Sequence, residues 1–95
     1  MQHQPQEIEV WYIIPSIRRE IAKEMKKLGV SQVKISKTLG LTNAAVSQYL
    51  SKKRAKNIEF PGVINQRIKA ASKRLNYDPK NITEEIQKIV YQISK

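Results

Sequence analysis

The sequence predicts an all-α fold, a compact helical domain of about five helices with a helix-turn-helix near its middle. Three observations point there. Apolar residues recur at steps of three and four along most of the chain, the period of helices buried on one side. Glycines fall between those stripes, where helices stop. The chain's 95 residues, 40% apolar and 27% charged, suit one domain spanning 1–95, with enough hydrophobic material for a core and too much for a disordered tail.

In the first stripe, Val10, Ile14, Ile17, Ile21, Met25 and Leu28 lie on one helical face. Pro15 interrupts it without shifting its phase, which leaves either one helix kinked there or a short helix followed by a longer one. Ile8 to Ile14 are also rich in β-branched and aromatic types, but the phase carried through Pro15 favours helix over strand. Gly29 ends this helix behind Lys26 and Lys27, whose charges suit its C-terminus.

The helix-turn-helix is expected over residues 31–52. Ser31 is an N-cap, since its hydroxyl can accept from the first-turn N–H groups, and a helix follows from Gln32 to about Leu39. Gly40 permits the positive φ of a tight turn, and Thr42 repeats the capping role. A second helix, over 43–52, then becomes the candidate recognition helix. Ile35, Leu39, Leu41, Val46, Tyr49 and Leu50 point inward, and Ser36 is small where two helices must cross. Asn43, Ala44, Ser47 and Gln48 fall on the outer face, where short or amide side chains can approach base edges. An ordinary helical hairpin would mix charges on that face. Here it has no carboxylate and is followed by Ser51, Lys52, Lys53, Arg54 and Lys56.

Asn57 to Gly62 reads as a loop, with Ile58 and Phe60 plugging the core. Ile64, Ile68, Ala71 and Leu75 form the stripe of another helix, ending near Asn76. A last helix over 79–95 starts either from Asp78 with Pro79 or from Asn81 with Glu84. Its stripe of Ile82, Ile86, Ile89, Val90 and Ile93 needs a partner surface. Packing within the chain would provide one. Because helix-turn-helix domains bind two half-sites as dimers, and because this helix is terminal and strongly one-sided, Ile82, Ile86, Ile89 and Ile93 are expected to form a homodimer contact.

The charge is uneven. Eighteen Lys and Arg against eight Asp and Glu give +10, of which residues 18–57 hold +9. Between Glu24 and Glu59 there is no acidic residue, yet Lys26, Lys27, Lys34, Lys37, Lys52, Lys53, Arg54 and Lys56 all fall there. Such an imbalance marks a face for a polyanion rather than a merely solvated surface.

Other function classes find little footing. No apolar run approaches the ~20 residues of a membrane span. The segment Met1 to Pro5 carries no legible secretory signal, so the expected location is cytoplasmic and nucleoid-associated. The absence of cysteine excludes disulfides, thiolate zinc and cysteine nucleophiles, and His3 is the only histidine, so neither a multi-histidine metal site nor a His-based dyad can be assembled within one chain. Asp78, Glu84 and Glu85 read as capping charges at a helix start. Gly29, Gly40 and Gly62 are explained by turns rather than by a phosphate-cradling loop. No enzyme activity and no cofactor are expected.

The segment Val30 to Lys52 resembles, without a gap, the helix-turn-helix of lambda-repressor-like (Xre-type) regulators, through Val30-Ser31-Gln32, Ile35, Leu39-Gly40-Leu41-Thr42, Val46 and Tyr49-Leu50. That is about a quarter of the chain. A wider resemblance runs from Trp11-Tyr12 and Pro15 to Arg19, through Ala44 to Leu50, to Lys53-Arg54. It is to small archaeal predicted transcriptional regulators. The resemblance implies that Gln32 bonds a phosphate and braces the first residue of the recognition helix, Asn43. It implies that Asn43 reads adenine where the family often has Gln, and that Ser51 and Arg54 contact backbone or bases beyond the helix. Ala44 replaces a residue commonly polar, leaving an apolar contact, such as one to a thymine methyl, or none. Lys34, Lys52, Lys53 and Lys56 complete the expected phosphate or flanking contacts. Cysteines in the flanks of some archaeal relatives have no counterpart here, so metal sensing is not implied.

The function expected is a sequence-specific regulator of transcription, a repressor, bound as a homodimer to double-stranded DNA. Two alternatives are a non-specific architectural DNA-binding protein and an antitoxin-type module whose last helix grips a protein partner. RNA binding is disfavoured, because the six aromatics of Trp, Tyr and Phe look largely structural.

Overall fold

The computed structural model describes residues 5–51 and 60–94, with side chains at 13–51 and 60–93. Five α-helices follow in order: α1 (Pro5–Lys27), α2 (Gln32–Leu39), α3 (Asn43–Leu50), α4 (Gly62–Tyr77) and α5 (Ile82–Ser94). A short 3-10 helix, Pro79–Asn81, leads into α5. No strand occurs among the described residues.

α1 is the hub, packed against each of the other four helices. Its residues Ile13, Ile17, Ile21 and Met25, one turn apart, are buried together with Ala22. They meet Ile35 and Leu39 of α2, Val46 of α3, Ile64, Ile68, Ala71 and Leu75 of α4, and Ile86 and Ile89 of α5 in one core. Of the two readings left open at Pro15, the single helix is the one formed, with Pro15 inside it. Leu28 departs from its expected place in the stripe. It is 44% exposed because α1 ends at Lys27 and Leu28 lies in the turn that Gly29 closes.

Two turns of the same construction bracket α2. At the first, Val30 N–H donates to Met25 O and Gly29 N–H to Lys26 O, each at 3.0 Å, with Gly29 at φ +85°. At the second, Leu41 N–H donates to Ser36 O at 2.8 Å and Gly40 N–H to Lys37 O at 3.3 Å, with Gly40 at φ +66°. Both are Schellman closures, in which a left-handed residue lets the chain reverse while satisfying the last carbonyls. The N-caps also form: the Ser31 hydroxyl accepts from Lys34 N–H at 3.2 Å, and the Thr42 hydroxyl from Ala45 N–H at 3.0 Å. Arg18 adds a cross-brace, its guanidinium donating to Leu39 O at 2.9 Å at the negative end of α2.

The dimer contact expected on α5 requires correction. Ile86 and Ile89 are 5% and 3% exposed within the core of one chain, and Ile82 and Ile93 are packed against it. α5 lies on both α1 and α4, whose own apolar stripes supply the cover. Of the two starts left open for the last helix, Asp78 with Pro79 opens the 3-10 turn, and α5 itself starts directly after Asn81. Asp78 caps the 3-10 turn, one carboxylate oxygen accepting from Lys80 N–H at 3.3 Å and the other from the Asn81 amide at 3.2 Å, and α5 begins only afterwards. Glu85, read as a capping charge, instead grips Arg74 of α4 through two bonds of 2.6 and 2.8 Å.

Candidate nucleic-acid interface

α3 is divided cleanly by its period. Ala45, Val46 and Tyr49 are buried, whereas Asn43, Ala44, Ser47, Gln48 and the following Ser51 are exposed. All four expected base-reading residues therefore share one outward face. The helix holds no charged side chain, so this face offers amides, hydroxyls and a methyl group with no fixed charge. α3 ends at Leu50, two residues short of the expected 52. The Ser51 hydroxyl closes it by donating to Gln48 O at 3.0 Å.

Gln32 joins α2 to this face. Its side-chain amide donates to Asn43 O at 3.1 Å and to the Ser47 hydroxyl at 2.7 Å. The expected brace on Asn43 is thus present, and it extends one turn further. Ser47 is tied to α2 by accepting this bond, which leaves its hydroxyl hydrogen as the donor it can offer outward.

Lys34, placed with Gln32 among the expected phosphate contacts, leaves α2 in another direction. Its ammonium donates to both the carbonyl and the side-chain oxygen of Asn76, each at 3.0 Å, at the end of α4. The first turn of α2 is thereby fastened to α3 on one side and to α4 on the other. Two of the three ammonium donors are used. Lys52, Lys53, Arg54 and Lys56 lie outside the described residues.

α4 carries positive charge that the sequence reading passed over. Gly62–Tyr77 contains Arg67, Lys69, Lys73 and Arg74 and no acid, and all four are exposed. The signal was countable, but it was overshadowed by the denser run after α3. Arg74 is committed to Glu85: the bond from the guanidinium holds the Glu85 carboxyl below the usual range against an opposing push from burial, and the same bond raises Arg74. Among the described residues, no three metal-ligating side chains come together, and no helix is long and apolar enough to cross a membrane.

No family description matches the chain, and no curated protein or solved structure is detectably similar to it.

Proposed function

We propose that this chain is a sequence-specific regulator of transcription, acting as a repressor on chromosomal double-stranded DNA, with α3 in the major groove. The observation that carries this reading is the outward face of α3, uncharged and braced by Gln32, within a stretch from 25 to 58 that contains bases and no acid. Cations around such a face hold phosphates, while amide groups on it discriminate bases. Asn43 and Gln48 suit the paired donor and acceptor of adenine, and Ala44 suits a thymine methyl.

Selection from random duplex DNA tests the proposal. A recovered motif is expected. On that motif Asn43→Ala should cost ~1–3 kcal/mol and on random duplex little, whereas Lys53→Ala should weaken both alike and flatten the salt slope by about one. Equal losses on both duplexes for Asn43→Ala would favour the non-specific architectural reading, which the +9 charge of residues 18–57 also supports. The antitoxin-type reading relied on the apolar stripe of α5. With Ile86 and Ile89 in the core, that support is gone.

A further inference from the structure

We infer that one flank of α4, bearing Lys69 and Lys73, is a second phosphate-contacting surface that continues the DNA interface across α2. The inference rests on the DNA-binding reading above and adds a surface to it. Two contacts fix how α4 is turned. Arg74 faces α5, where it holds Glu85, and Asn76 faces α2, where it accepts from Lys34. In a helix of 3.6 residues per turn, Lys69 and Asn76 are seven residues apart and nearly aligned, and Lys73 lies between them on the same side. Lys69 and Lys73 therefore belong to the Asn76 flank, and Arg67 belongs with Arg74. Arg67 indeed lines a shallow depression together with Glu84, Gln87, Lys88 and Tyr91 of α5.

The order across the surface is then α3 face, first turn of α2, and Lys flank of α4. Gln32 and Lys34 are the two links. No acidic residue occurs in α2, α3 or α4. Lys69 and Lys73 are exposed; of the two acid-bearing helices packed on α4, α1 has Glu20 and Glu24 paired with its own Lys23 and Lys27, and α5 is met from the opposite flank through Arg74. The two positions are ~6 Å apart along the helix axis, and neither ammonium group forms an ion pair among the described residues. A duplex backbone seated on the first turn of α2 would run onto them.

The test compares salt dependence of binding to random duplex for the full chain, for Lys69→Ala with Lys73→Ala, and for Arg67→Ala with Lys88→Ala. The last pair removes the same charge from the other flank. If both lysines contact phosphates, the slope of log K against log salt falls by ~1.8 for the first pair alone, so between about 50 and 200 mM salt it loses ~10-fold less affinity than the parent. Equal slopes for the two variants would overturn the α4 surface and leave the α3 reading intact. If the parent chain binds no duplex at all, the DNA-binding reading itself fails and the flank with it. All four positions are exposed, and thermal unfolding of each variant should match that of the parent.

Discussion

Among the described residues, Arg74 and Glu85 form the shortest charged contact between two helices, and its two halves are unequally buried. The Arg74 side chain is 58% exposed and that of Glu85 only 6%. Solvent screens the guanidinium, so the pair itself is worth about 1 kcal/mol, but Arg74→Ala strands a buried carboxylate and should cost ~2 kcal/mol. Because the folded state lowers the Glu85 pKa, chiefly through the bond from Arg74, the stabilisation is complete above the unfolded glutamate range and is lost as pH falls through the lowered value. The difference in melting temperature between the parent and Glu85→Gln should therefore be clear at ~pH 7 and shrink toward ~pH 3. A difference that does not depend on pH would assign the effect to packing. Gln32 poses the complementary case of an exposed contact. Gln32→Ala removes two bonds at the surface and should cost less than ~1 kcal/mol of stability. On a selected duplex it should nevertheless lose ~5–10-fold in affinity, because Asn43 and Ser47 lose their common brace. Unchanged affinity would show that α3 is held by its core contacts alone.

At the scale of elements, the boundaries around α2 were legible because they depend on local chemistry. Ser31, Gly40 and Thr42 each act through their own backbone or hydroxyl, so their roles are visible before any tertiary contact is known. Gly40→Ala isolates one such effect. At φ +66° an added Cβ meets nothing within 4 Å, so the expected loss of ~1 kcal/mol comes from backbone conformation alone, read as a lower denaturant midpoint at constant slope. What was not legible depends on which helix lies beside which. That Lys34 reaches Asn76 across 42 residues, or that Glu85 turns toward Arg74 rather than its own helix terminus, has no local signature. The direction in which the α5 stripe faces is of the same kind. Its periodicity states that one side is apolar and leaves open whether the cover is intramolecular.

At the scale of the molecule, that ambiguity is decided by α1. A 23-residue helix with Ile17, Ile21, Ala22 and Met25 fully buried contacts every other helix, and α5 completes its enclosure together with α4. Removing α5 to pair with a second copy would uncover Ile86, Ile89 and the α1 and α4 residues beneath them. In a domain this small, core area is too scarce for that exchange. What α5 shows outward is Thr83, Glu84, Gln87, Lys88 and Tyr91, of which only Tyr91, 67% exposed, is a large hydrophobic side chain. Such a surface offers little to hold two chains together. Light scattering at tens of micromolar, where a stable dimer would be populated, should accordingly give the 11.0 kDa of one chain. Ile86→Asp with Ile89→Asp should then unfold the domain, since two carboxylates would enter an apolar core without partners, at a cost comparable to the whole stability of a small domain. The readout is loss of helical circular dichroism. If the parent instead scatters as a dimer and the double variant is a folded monomer, α5 is an interface between copies and its packing on α1 is not the state in solution.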